Sequence, residues 1–442
     1  MVTAAAWSCK SPPDAHIVVI GGGLMGSASA WHLSQQNQEV ILLEQQEQDY
    51  TFGSSFGQAR ITRSLGPPGD MWSYLHNRSV GEALKLINYL NEADTQNHSM
   101  DEIYTTSPVT YLRHLKQLDR IRQLLVDQQD PYKFAQTPDS ARELFNITIP
   151  DTAIILREFK QYSGTLNPQA LISKLHQAIK LQGNQIWYGH KLDELKRVGD
   201  HFELIITHSS TGETKAIRCK KVVSAAGPYS GQVLQYVAPY FQQLINPKRV
   251  FLAFFTPTDE QYKLMTAEQL ELINFSYPLI NSSRGDRINA NFSMLEGQTE
   301  NGKPIIKIGG HFQRTAIEDL SKVWKIPLSR QEKAWGYRHT LNYLNYLGLT
   351  VDSLEFVKGY SCVYSLTESE KPYVTTIDAT DNALVVVGGM SGVGAKGAMT
   401  YGLLASNLVL GNTETTPEYK MLEQELGYSR LQSDLEKLYS SK

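Results

Sequence analysis

One segment constrains this chain more than any other: His16-Ile17-Val18-Val19-Ile20, a short β-branched run, opens into Gly21-Gly22-Gly23-Leu24-Met25-Gly26 and then into an Ala-rich stretch to about Gln35. Apolar alternation giving way to glycine and then to helical periodicity reads as strand, turn and helix. Glu39 to Leu43 (EVILL) follows as a second buried strand closing at Glu44, so a βαβ unit and a parallel sheet begin here. The glycines fit GxGxxG, with an acidic residue about 20 positions on. Gly21 permits a tight turn, Gly23 lets backbone approach a pyrophosphate at a helix N-terminus, and Gly26 lets helix and strand pack closely. Glu44 is placed to accept ribose hydroxyls. The fingerprint marks a dinucleotide site without separating NAD from FAD.

A second glycine cluster discriminates. Leu384 to Val387 reads as a buried strand, Gly388 to Gly394 (GGMSGVG) as a turn, and Lys396 to Leu410 as a helix. A glycine turn feeding a helix N-terminus favours negative charge. At the far end of the chain it suits a flavin pyrimidine, so FAD is the expected cofactor. Between the clusters, helical patterns (Val80 to Leu90, Leu112 to Val126) mix with strand-like Val109 to Leu112, and a helix to about Leu181 precedes strands at Gln185 to Tyr188, Phe202 to Thr207 and Lys221 to Ala225.

Length and charge limit the alternatives. With 442 residues, two domains sharing a cleft are expected. A net charge of -3 supplies no basic field for nucleic acid, and the longest apolar runs are too short to span a bilayer. Cys9, Cys219 and Cys362 are too scattered for a disulfide framework or a metal site, which fits a reducing cytoplasm; no metal is expected.

Four blocks, in order, give the chain a resemblance to the monomeric sarcosine oxidase and N-methyltryptophan oxidase group of the D-amino acid oxidase superfamily. They are Gly53 to Arg63 (GSSFGQARITR), Ile306 to His311 (IKIGGH), Cys362 to Ser365 (CVYS) and Gly389 to Lys396 (GMSGVGAK). The return strand ending at Ala225-Ala226-Gly227 fits as well. The resemblance implies an α/β protein in which a Rossmann-like, glutathione-reductase-type FAD domain and an α+β substrate domain are both discontinuous. Residues 16-64, 155-238 and 355-412 would form the first and 65-154 and 239-354 the second, with 1-15 a flexible tail and 413-442 a C-terminal helical tail.

The implied cofactor contacts are Gly21, Gly22, Gly23, Leu24, Met25, Gly26, Glu44, Ser54, Ser55, Arg60, Leu192, Gly227, Cys362, Gly389, Met390, Ser391, Gly392, Gly394 and Lys396. A covalent bond from Cys362 to FAD is part of that implication. Arg63 and Lys396 would hold a substrate carboxylate, Lys307 would activate oxygen, and His311 would lie in the active site. The residues add their own reasons: a guanidinium grips a carboxylate through two parallel bonds, and a lysine in a helix's first turn calls for an anion. Alternation alone leaves the face of Lys307 open, and Gly309-Gly310 could bulge His311 away from it. The expected reaction is oxidation of a small carboxylate-bearing amine, with oxygen as acceptor, by a monomer. The alternatives are a D-amino acid or glycine oxidase or dehydrogenase of the same fold, and a flavin-binding subunit without turnover. Phe56 and Ala59 depart from the histidine and threonine of sarcosine oxidases, the aromatic-Gly-aromatic-Pro segment before Lys307 is not recognisable, and Ser365 to Asp378 is longer than usual.

Overall fold

The computed structural model describes residues 14–49, 52–66, 69–126, 128–274, 278–281 and 290–440. Most of the expected 1-15 tail, with Cys9, lies outside them.

Ala15–Ile20, Val40–Leu43, Gln185–Trp187, Thr214–Ser224 and Asp381–Gly388 form a parallel core, with Val18 opposite Ile41 on one side and Val222 on the other. Tyr373–Asp378 closes one edge antiparallel, and His190–Val198 and His201–His208 make a meander with the first half of Thr214–Ser224. Alternation assigns the two faces. Ile17, Val19, Leu42, Val385 and Val387 meet the helices Leu24–Gln35, Met71–Ala93, Pro168–Leu181 and Ala398–Leu410, whereas Val18, Ile20, Ile41 and Val386 meet the meander and Phe241. Burial on both faces is why these strands are unbroken apolar runs.

A second, mixed sheet of eight strands runs Leu354–Leu366, Asn246–Pro257, Pro304–Gly310, Asn291–Gln298, Leu279–Asn281, Val109–His114, Ala153–Glu158 and Tyr132–Ala135. The helix Arg330–Tyr346 covers one face, packing Trp335, Tyr343 and Leu344 against Phe251, Phe255, Ile306 and Ile308. The other face turns toward the first domain. Residues paired across strands share a face, so Tyr360, Leu252 and Phe292 form one row with Gly309, and Lys307 stands beside that row opposite Phe254.

Sheet membership departs from the expected segments. Helix Met71–Ala93, placed in 65-154, packs Leu75, Leu86 and Leu90 into the first core. Ala153–Glu158 and Leu354–Leu366 open the segments 155-238 and 355-412 but hydrogen-bond in the second sheet. Leu112 to Val126 is no continuous helix: the strand runs to His114 because it pairs with Ala153–Glu158 on one side and Leu279–Asn281 on the other, leaving helix only over Leu118–Leu125.

Candidate cofactor cavity and active site

A cavity of about 820 Å³ runs from the first glycine turn to the second sheet, within the range of roughly 300–1,000 Å³ usual for cofactor sites. Gly21, Gly22, Gly23, Leu24, Met25, Glu44, Ser54, Ser55, Arg60, Leu192, Gly227, Cys362, Met390, Gly392 and Gly394 all line it. Gly21 takes φ +101°, which a side chain would resist. A Cβ on Gly26 would fall 1.8 Å from the Gly21 carbonyl oxygen, so Gly26 serves the seating of helix on turn and does not touch the cavity. Glu44 accepts the Gly22 amide at 2.7 Å and the Gln46 amide at 2.9 Å, while burial pushes its carboxyl upward. The helix Leu24–Gln35 has no acidic residue in its first turn and no cap from its own N-cap residue, the Leu24 amide donating instead to the Ser55 hydroxyl at 3.2 Å, so no negative charge meets its positive end. These features fit a dinucleotide pyrophosphate beside the amides and a ribose beside Glu44.

At the opposite end Arg60 ties its own loop, donating to the carbonyls of Ser54 at 3.3 Å, Ala59 at 2.9 Å and Phe56. Ser54 donates to the Val363 carbonyl at 2.9 Å, joining the loop to the strand that carries Cys362. The Cys362 thiol is buried, which raises its pKa, and Arg60 is the largest charge opposing that rise. In the second glycine turn Met390, Gly392 and Gly394 line the cavity, and Gly389, Ser391 and Lys396 are not among its lining residues. The Ser391 hydroxyl bonds the Gly389 carbonyl at 3.0 Å and the Thr367 amide at 3.1 Å, which braces the turn.

Arg63, Lys307, His311 and Lys396 are not among the residues that line this cavity. Lys396 lies in the short turn Ala395–Gly397 before helix Ala398–Leu410 and is only 6% exposed, with its ammonium 4.7 Å over the Trp72 ring. Burial pulls its pKa well down, and Arg63 is the charge that adds to that pull, with Asp70 and Glu158 opposing it. Arg63 rests 5.5 Å over Tyr111, whose hydroxyl donates to Glu158 at 2.9 Å. Neither cation has an ion pair among the described residues. Burial brings His311 to about 4, so it is neutral, with Nδ1 3.3 Å from the Tyr364 hydroxyl. Lys307 is fully buried, paired with Glu296 and donating to the Ala59 carbonyl. Glu296, Trp72 and Tyr111 escaped the sequence reading, because each acquires its place from a partner distant in the chain. No group of three metal-ligating side chains occurs, and no helix is long and apolar enough to cross a membrane, among the described residues.

Residues 16–408 match the family described as DAO, FAD dependent oxidoreductase. Human peroxisomal sarcosine oxidase is 25% identical over 222 residues, covering 49% of this chain and 52% of that one. The curated relatives are thus matched over about half their length. Among solved structures, L-proline dehydrogenase from P. horikoshii superposes with a TM-score of 0.68 at 17% identity, covering 94% of this chain and 100% of that one. Glycine oxidase from Bacillus cereus gives 0.63 at 16% identity, covering 94% and 99%. At these identities the structural likeness is one of fold.

Proposed function

Because the chain belongs to the family of FAD-dependent oxidoreductases, we propose that it oxidises a small carboxylate-bearing amine, an N-methyl or other N-alkyl amino acid, to an imine that hydrolyses. Oxygen would take the electrons and leave as hydrogen peroxide. The observation that carries this reading is the pair Arg63 and Lys396: a half-buried guanidinium and a buried amine whose charges influence each other, from chain positions far apart, without ion pairs among the described residues. Glu158 and Asp70 act on both groups without forming an ion pair with either, so a substrate carboxylate would supply the direct counter-charge and be held by charge-assisted bonds. FAD, bound in the cavity, would accept the hydride equivalent from the C–H next to nitrogen.

The chain's own contribution is position and charge. Arg63 and Lys396 fix the carboxylate end, and the neutral imidazole of His311 with the Tyr364 hydroxyl offers hydrogen bonds without a further positive charge to repel the amine. Leu252 and Phe292 on the second sheet keep water from the cavity wall. Lys307 places a cation on the same side for the oxygen reaction.

The test is a panel of N-methyl, D- and L-amino acids offered to the purified yellow protein. Anaerobic bleaching with an N-alkyl amino acid, and peroxide on admitting air, are expected. Bleaching without peroxide would redirect the electrons to another acceptor, and no bleaching with any member would remove the reading.

A further inference from the structure

An ammonium without water around it tends to release its proton. Lys307 faces that problem, since it has no exposed surface and stands inside the second sheet. Glu296, on the neighbouring strand Asn291–Gln298, meets it with a carboxylate only 5% exposed. The Gln58 amide donates to Oε1 of Glu296 at 2.9 Å, which leaves Oε2 to the lysine. A second Lys307 proton goes to the Ala59 carbonyl, so both ends of the pair are tied to the loop that carries Arg60. The other charged or titratable groups turned toward this pair are Arg60, Cys362 on strand Leu354–Leu366, and Tyr360 beside Glu296.

Two effects of Glu296 oppose each other. Its negative charge cancels part of the lysine's field, yet without it the lysine has no counter-charge and is left with Arg60 for a neighbour. A buried cation stripped of its partner is strongly destabilised, and lysine escapes by deprotonation, losing the whole field. Keeping the charge therefore outweighs weakening it. We propose that Glu296 is the positioning residue of the oxygen half-reaction, holding the Lys307 ammonium protonated and aimed from the Gln58–Ala59 loop. Oxygen there takes two electrons from the reduced cofactor and two protons and leaves as hydrogen peroxide, and a cation beside it stabilises negative charge as the electrons arrive. The inference rests on the reading of Lys307 as the oxygen-activating residue.

The pH dependence distinguishes this from a packing role. Burial lowers the Lys307 pKa to about 8, with Glu296 opposing the fall and Arg60 adding to it. Dithionite-reduced holoenzyme should thus reoxidise in air more slowly as pH rises through about 8. In Glu296→Gln the fall should move down by about one pH unit or more, making reoxidation roughly fivefold or more slower near the wild-type midpoint. Glu296→Asp should restore most of the profile, and Lys307→Met should be slow and flat. Titration of 13Cε-lysine-labelled holoenzyme by NMR reads the charge without turnover: the resonance missing from Lys307→Met should titrate at lower pH in Glu296→Gln. An unchanged midpoint for that resonance overturns the inference. If Lys307→Met reoxidises as fast as wild type, the oxygen role of the lysine fails instead, while a shifted resonance still assigns its charge to Glu296.

Discussion

Lys396 illustrates how one buried side chain can tie binding to proton uptake. Burial, then Arg63, depresses its pKa, so the free enzyme carries it increasingly uncharged as pH rises. A carboxylate bound beside it favours the ammonium and raises that pKa again, so binding takes up a proton. The sign follows: affinity for a simple carboxylate such as acetate is greatest at low pH and falls as pH increases above the free lysine's pKa. Calorimetry in buffers of different ionisation enthalpy should show the uptake, and Lys396→Met should lose both it and the pH dependence. Arg63→Ala should weaken the same ligand at every pH by about 1.5–3 kcal/mol, the worth of a charged hydrogen bond. A wild-type affinity independent of pH would place the carboxylate elsewhere. Cys362 carries a separate expectation: a bond between its sulfur and the flavin ring. Denaturing electrophoresis after acid precipitation should show fluorescence travelling with wild-type protein and absent from Cys362→Ser. Flavin released in full from the wild type would leave the cofactor held by non-covalent contacts alone.

Among the elements, local and distant causes separate cleanly. Helix Leu24–Gln35 has the bounds its sequence implies, because glycine turn, alanine run and following strand all agree. Gly26 tests the fit, since any Cβ there collides with the Gly21 carbonyl. Gly26→Ala should cost at least the roughly 1–3 kcal/mol of overpacking and pull helix and turn apart, lowering Tm and releasing cofactor. Normal cofactor content with unchanged Tm would show that the turn yields. Strand Pro304–Gly310 teaches the converse. Alternation put Lys307 and Ile305 on one face and Ile306 and Ile308 on the other, but which face met helix Arg330–Tyr346 was decided by strands far away in the chain. Glu296 was illegible for the same reason: its meaning is its register opposite Pro304–Gly310, set by a hairpin with a local irregularity between Leu295 and Gln298.

At the scale of the whole molecule the chain passes repeatedly between two sheets, and the segments expected to be peripheral carry structural weight. Residues 413-442 were expected as a helical tail, and helices Pro417–Leu426 and Tyr428–Ser440 do form. They are not loose: Tyr419, Leu422 and Leu426 sit in the core beneath the parallel sheet, and Leu431 reaches its other face. Asp434 accepts the Tyr373 hydroxyl at 2.7 Å, and Arg430 lies 4.3 Å over the same ring. Tyr373 begins the edge strand opposite Gly388, where the second glycine turn departs, so these helices brace the strand that leads into that turn. Each buried leucine is worth about 1.5–3 kcal/mol, and removing three with Tyr419 exceeds much of the stability of about 5–15 kcal/mol of a typical protein. Truncation after Gly411 should therefore yield protein that binds FAD poorly and aggregates. The milder Asp434→Ala should fold, lower Tm modestly and loosen cofactor, read as faster flavin loss on dialysis. If Asp434→Ala retains flavin as wild type does while Tm falls, the helices stabilise the domain without bracing the turn.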